Sequence, residues 1–196
     1  GLIIAAPSSG SGKTLVTLAL LRRLARDGVP VAGAKAGPDY IDPTYHTAAC
    51  HRPCRNLDIW AMRETILAAT ITTLGDAADL IIVEGVMGLF DGINLPGRPD
   101  AGSTADLAAH TGWPVILVVD AGRQAASAGA LLRGFASHRA DVAVAGIIFN
   151  RVGSASHRDV LTAAANLAVP DIPVLGFVPR NAALTLPERH LGLVPA

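Results

Sequence analysis

The chain has 196 residues, 51% hydrophobic and 4% aromatic, and its 16 basic and 16 acidic side chains cancel to zero net charge. That length accommodates one domain with a sizeable core, and the balanced charge leaves no electrostatic footprint for nucleic acid or an anionic membrane surface. No apolar run approaches the roughly 20 residues that span a bilayer, and the apolar start has no basic region ahead of it as a secretory leader would. The expectation is a cytoplasmic protein with no nucleic-acid or membrane partner. Gly1 lies inside the first apolar run and the last residues carry no charged tail, so one domain of a longer polypeptide is expected.

The first element is a strand, Leu2-Ile3-Ile4-Ala5, running straight into APSSGSGKT at 6–14 and then into an apolar-periodic helix over 15–27. Strand, glycine-containing loop and helix start form a phosphate site, because backbone N–H groups and the helix dipole hold anionic oxygens. Gly10, Ser11, Gly12, Lys13 and Thr14 carry it. Lys13 is placed to reach the β- and γ-phosphates and the Thr14 hydroxyl to ligate Mg²⁺. Pro7 stands where the usual pattern has its first glycine, and the competing reading is an ordinary Gly/Ser turn ahead of Lys-Thr.

A second strand over 31–35 carries Lys35 at its end. A helix over 61–74 follows, then a strand over 80–84 ending in Glu84. Residues 85–103 form the longest irregular stretch and contain Asp91; loops of that length in compact domains are often functional. Beyond it the pattern predicts a helix over 104–111, a strand over 114–120 ending in Asp120, a helix over 124–138, a strand over 142–150 ending in Asn150, a helix over 156–167 capped by Ser154 or Ser156, and a strand over 174–178. Near-continuous Val/Ile/Leu runs suit strands buried on both faces. Their alternation with helices predicts an α/β fold with a doubly wound, mostly parallel sheet, whose ligands gather at the carboxyl ends of the strands.

Glu84 and Asp120 at strand ends near a phosphate loop have the placement for holding Mg²⁺, directly or through water. The alternative is that such carboxylates cap turns and helices. That alternative weighs most on Asp120, which opens an Asp-Ala-Gly turn, and least on Glu84, a poor capping residue. His46, Cys50, His51 and Cys54 resemble a zinc cluster, but the spacing is not that of a finger and no second ligand pair follows. Neither cysteine lies in a strand–turn–helix elbow.

These residues resemble a known family, the cobyrinate (hydrogenobyrinate) a,c-diamide synthases of cobalamin biosynthesis. The matching pieces are SSGSGKT at 8–14, KAGPDYIDPTYH at 35–46, NLDIW at 56–60 with Ala61 inserted before Met62, EGVMGLFDG at 84–92, FNRV at 149–152 and PERHLGL at 187–193. The resemblance covers the whole chain but only the family's amino-terminal ATP-binding synthetase half. It implies the P-loop NTPase fold of dethiobiotin synthetase type, and a ligase that uses ATP to amidate the a- and c-acetates of a corrin. The route implied is an acyl phosphate that ammonia then displaces.

By the same resemblance, Lys13 and Lys35 offset charge while Thr14, Asp42 and Glu84 form the Mg²⁺ shell. Asp39 and Asp91 match acidic residues near the substrate or intermediate, and Tyr40 and Ile41 face the corrin. Asn150 with the GFVPR segment at 176–180, including Pro179 and Arg180, matches the adenine-side loops. Expected partners are a corrinoid carboxylate, ammonia from a glutaminase domain that this chain lacks, and a second copy in a homodimer. Two relatives of the same superfamily compete: cobyric acid synthase, against which YIDPTYH counts, and the a,c-diamide synthase acting on nickel-sirohydrochlorin. A partitioning-type regulatory ATPase is the competitor from another class; it would carry an extra lysine where this chain has Ser8.

Overall fold

The short Val/Ile/Leu runs of the central strands are buried on both faces, while the edge strand Val174–Pro179 leaves Leu175 exposed. The computed structural model describes residues 1–184 and, for backbone alone, Glu188–Arg189 and Gly192–Leu193. In chain order the elements are β1 (Leu2–Ala5), α1 (Lys13–Arg26), β2 (Val31–Ala36), α2 (Asp42–Cys50), β3 (Arg55–Leu57), α3 (Glu64–Ala77), β4 (Leu80–Glu84), β5 (Ile93–Leu95), β6 (Arg98–Ala101), α4 (Thr104–Thr111), β7 (Val115–Asp120), α5 (Ala128–Ser137), β8 (Val144–Val152), α6 (Ala155–Ala168), β9 (Val174–Pro179), β10 (Glu188–Arg189) and β11 (Gly192–Leu193). A 3₁₀ turn, Ala182–Leu184, follows β9.

Among the described residues, a seven-stranded sheet runs β3-β2-β4-β1-β7-β8-β9, with every neighbouring pair parallel. Alternate residues of each strand face opposite sides. Ile3, Ala5, Val83 and Leu117 join one apolar cluster with Leu67 of α3, Leu107 of α4, Leu132 of α5 and Leu161 of α6. Ile4, Ile82 and Val118 join the other with Val16 and Leu21 of α1 and Ala49 and Cys50 of α2. Helices on both faces of a parallel sheet make the fold doubly wound, as the alternation predicted.

The predicted strands all form, shifted by at most two residues, and Ser154 caps α6 by accepting from the His157 N–H. Four features of the sequence reading need correction. Residues 42–50, read only as part of a motif, form α2, started by Asp39, whose Oδ1 accepts the N–H groups of Ile41 and Asp42 at 2.8 and 3.1 Å. Residues 55–57 add β3 at the sheet edge. The stretch 85–103 holds the antiparallel hairpin β5–β6, turned at Gly97 with φ 76°. The helices predicted from residues 61 and 124 begin later, at Glu64 and Ala128.

Register fixes what the strand ends bring together. Lys35 of β2 lies opposite Glu84 of β4, and Ile4 of β1 lies opposite Glu84 on the other side. Asp120 of β7 lies opposite Asn150 of β8. The carboxylates therefore gather on the β2–β4 side of the phosphate loop, and the residues of β7, β8 and β9 gather on the other.

Candidate nucleotide and carboxylate site

The loop between β1 and α1 needs two left-handed residues, and glycine supplies both: Gly10 at φ 73° and Gly12 at φ 101°. A Cβ on Gly12 would meet Nδ2 of Asn150 at 2.1 Å. That close approach lets Asn150 donate to the Ser11 carbonyl at 2.9 Å and brace the loop from β8. The Ser11 hydroxyl donates to the Ser8 carbonyl at 2.9 Å. No side chain caps the N-terminus of α1, so its first N–H groups have no intrahelical acceptor and open onto a cleft of about 1210 Å³. Gly10, Gly12, Lys13 and Thr14 line this cleft with Asn150, Pro179 and Arg180. Arg180 Nη2 donates to the Gly122 carbonyl at 2.9 Å.

Lys13 lines the cleft, but its ammonium is turned across the loop, donating to the Met87 carbonyl at 2.6 Å and more weakly to that of Ser8 at 3.3 Å. Burial draws its pKa down to about 8; Glu84 acts against that shift and Lys35 adds to it.

On the other side of the loop, Lys35 Nζ lies 2.7 Å from Asp42 Oδ2, 3.1 Å from Glu84 Oε1 and 3.9 Å from Asp39 Oδ2. Thr14 Oγ1 donates to Glu84 Oε1 at 2.5 Å. Glu84 is 1% exposed. Burial alone would raise its pKa, but Lys35, His46 and the Thr14 hydroxyl reverse this and hold it at about 2. Burial also pulls on Lys35, where Glu84 and Asp42 win and its pKa rises. Asp42 rises too, first through burial and then through Glu84, against the pull of Lys35.

Asp42 and Glu84 thus converge on the Lys35 ammonium, and Thr14 meets the same Glu84 oxygen that Lys35 does. Among the described residues, no group of three or more His, Cys, Asp or Glu side chains is arranged to hold a metal ion. Two carboxylates and a hydroxyl are a smaller, all-oxygen set of the kind that serves Mg²⁺ when phosphate oxygens and water complete the shell.

Asp39 reaches the cluster only at its edge, its Oδ1 being used to start α2. Asp91 is exposed and accepts the Gly88 N–H at 2.7 Å, so it shapes the loop after β4 instead of joining the ammonium. Tyr40 is 86% exposed and Ile41 half-buried. Asp120 follows the turn alternative: it accepts the Gly122 N–H at 2.8 Å and pairs with Arg151. Of PERHLGL, the backbone of Glu188–Arg189 and Gly192–Leu193 pairs as a short ladder; Pro187, His190 and Leu191 lie outside the described residues.

Sequence reasoning named His46 only as a candidate zinc ligand and missed its place beside Glu84. His46 is fully buried, with Nε2 2.6 Å from Glu84 Oε2 and Nδ1 3.5 Å from Cys54 Sγ. His51 Nε2 instead lies 2.6 Å from Arg22 Nη1, so the two histidines turn to different partners. Both cysteines are free thiols. The signal for His46 was its spacing of one helical turn from Asp42.

Hydrogenobyrinate a,c-diamide synthase of Rhizobium meliloti (strain 1021) is 54% identical over 196 residues, which are 100% of this chain and 44% of that protein. The enzyme of the same name from Brucella anthropi is 55% identical over 197 residues, again 44% of its length. The chain therefore spans less than half the length of these curated relatives. Among solved structures, the hydrogenase maturation factor HypB of Archaeoglobus fulgidus superposes with a TM-score of 0.56 at 16% identity, covering 89% of this chain and 80% of that one. FtsY of Elizabethkingia anophelis in complex with GDP superposes with a TM-score of 0.62 at 15% identity, covering 92% of this chain and 57% of that one. At such identities these two speak for the fold alone, that of a P-loop NTPase. No helix among the described residues is long and apolar enough to cross a membrane. The model of the CobQ/CobB/MinD/ParA nucleotide binding domain matches residues 2–194, and the chain belongs to that family.

Proposed function

We propose that this chain is the ATP-using part of an amidoligase that converts the a- and c-acetate carboxylates of hydrogenobyrinic acid to amides in cobalamin biosynthesis. The observation that carries the reading is the Thr14–Glu84–Lys35–Asp42 cluster beside the phosphate loop, in a chain 54% identical to a hydrogenobyrinate a,c-diamide synthase. A carboxylate is a poor electrophile. ATP, as substrate, supplies a γ-phosphoryl group to a carboxylate oxygen; ammonia then attacks the acyl carbon, and phosphate leaves with that oxygen.

This chain's residues answer the charge problem such a reaction poses. Two anions must approach each other, so cationic groups have to stand ready before they meet. Lys13 lines the cleft at the loop, and Lys35 of β2 is fixed by Asp42 of α2 and Glu84 of the neighbouring β4. The uncapped start of α1 presents N–H donors for phosphate oxygens. Thr14, Asp42 and Glu84 would hold Mg²⁺, which supplies charge neutralisation at the phosphates. Tyr40, exposed at the carboxyl end of β2 beside Asp39, offers an apolar ring to a macrocycle whose acetate points at the cluster.

The test is ADP release by the chain with ATP, Mg²⁺ and ammonium, with and without hydrogenobyrinic acid. The expected result is acid-dependent ADP release and a product lighter by about 1 Da per amide, since each exchange replaces OH by NH₂. ADP release that ignores the acid, with no change in its mass, would overturn the reading.

A further inference from the structure

Glu84 has two carboxylate oxygens, and the structure divides them. Oε1 faces Thr14 at 2.5 Å and Lys35 at 3.1 Å, toward the phosphate loop. Oε2 faces away, 2.6 Å from His46 Nε2. An ionised carboxylate only accepts hydrogen bonds, so the Nε2 of His46 must carry the proton. On the far side of the ring, Nδ1 meets the Cys54 thiol at 3.5 Å, a group that burial, Cys50 and Glu84 keep protonated by pushing its pKa up to about 12.

The ring has no freedom to leave this position. His46 is fully buried on α2, and α2 packs so closely on β2 that a Cβ on Gly33 would stand 3.1 Å from the His46 Cβ. One turn earlier on the same helix, Asp42 holds Lys35. A single rigid helix thus sets both the cation and the orientation of the carboxylate opposite it.

We propose that His46 is a positioning residue: it pins Oε2 of Glu84 so that Oε1 alone faces Thr14, Lys35 and the phosphate side. This inference rests on the reading of Thr14, Asp42 and Glu84 as the Mg²⁺ side of an ATP site. A second contact that fixes the rotation of a ligating carboxylate strengthens its metal affinity, and losing such a contact typically costs 10- to 100-fold in affinity or activity. Without His46, the Glu84 carboxylate gains freedom to rotate and one buried oxygen loses its donor.

The experiment compares His46→Gln, whose longer amide keeps an N–H near the Nε2 position, with His46→Asn, whose shorter amide does not, and with His46→Leu. Binding of ATP to each folded chain is titrated against Mg²⁺ by calorimetry, with ATP alone as control. The Asn and Leu variants should need about tenfold more Mg²⁺ for half-maximal enhancement of ATP binding, with Mg²⁺-free ATP binding unchanged. The Gln variant should stay within about threefold of the parent chain. Should Leu fail to fold, the Asn–Gln pair decides, since both are amides of the same chemistry and differ in reach. An Asn variant that overlays the parent chain, or a Gln variant as impaired as Asn, overturns the positioning role. If ATP binding by the parent chain does not depend on Mg²⁺ at all, the reading of the Mg²⁺ site fails and this inference with it.

Discussion

Lys13 shows how far a single residue can be read before its structure is seen. Its place at the loop–helix junction was legible from the order strand, Gly/Ser loop, Lys-Thr. Its actual contacts, the Met87 and Ser8 carbonyls, were not, because they depend on how the loop after β4 folds against the phosphate loop. Met87 is itself half exposed, so water can replace the lysine at its carbonyl. Lys13→Ala should therefore change stability by no more than about 1 kcal/mol, while ATP turnover falls by at least about 100-fold, the usual loss when one preorganised positive donor is removed. Urea denaturation and an ADP-release assay on the same preparation test both halves. Normal turnover in the folded variant would exclude this loop as the phosphate site.

Elements differ in how plainly they announce themselves. α2 buries Asp42, His46, Ala49 and Cys50, at spacings of four, seven and eight residues from the first, which is a helical stripe. Two of those four are polar, so a search for apolar periodicity passes over it. The polar side chains that hid the helix are those that give it a role. β3 and the β5–β6 hairpin escaped for a simpler reason: strands of three or four residues carry too few side chains for a period-2 pattern to show.

Ser103 caps α4, accepting from the Asp106 N–H at 3.3 Å, and Asp106 accepts the Gly102 N–H at 2.9 Å. Asp106 also meets Arg139 at 2.8 Å, and Arg139 meets Asp100 at 2.8 Å, so one guanidinium ties the hairpin and α4 to the segment after α5. Burial pushes the Asp106 carboxyl up, but Arg139, the Gly102 N–H and Arg98 outweigh it and hold the pKa below its ordinary 3.8. A carboxyl depressed on folding contributes stability in full above its unfolded pKa and loses it as pH falls through the folded value. Asp106→Asn should cost about 1–2 kcal/mol at pH 7, and the gap to the parent chain should narrow at pH 3. Urea midpoints at the two pH values measure it; a gap of constant size would remove ionised Asp106 from the account.

At the scale of the molecule, the sheet order places two kinds of chemistry along one edge, with the phosphate loop between them. Strands β7, β8 and β9 frame the nucleotide cleft, and β2 and β4 frame the carboxylate cluster. Neither thiol of this chain is suited to releasing ammonia from glutamine. Cys50 is buried, and Cys54 is pushed up to about 12 where a nucleophile needs a depressed pKa. The proposed amidation should therefore proceed with ammonium and not with glutamine. Its rate should rise with pH as ammonium loses its proton, because only the neutral amine carries a free lone pair. Product mass after incubation with each nitrogen source tests this, and amide formed from glutamine by a preparation free of contaminating glutaminase would contradict it.

The bond from Asn150 to the Ser11 carbonyl joins positions 139 residues apart. Synthesis runs from the N-terminus, so the phosphate loop leaves the ribosome early and waits for its brace. β1 waits as well: its neighbours β4 and β7 come from residues 80–84 and 115–120. Long loops must therefore close before either contact contributes. A nucleotide stabilises only a state that binds it, so it cannot guide the segment that precedes β8. It can hold the domain together only after β8 has docked, and the ability to bind nucleotide becomes a marker that this half of the sheet has been completed.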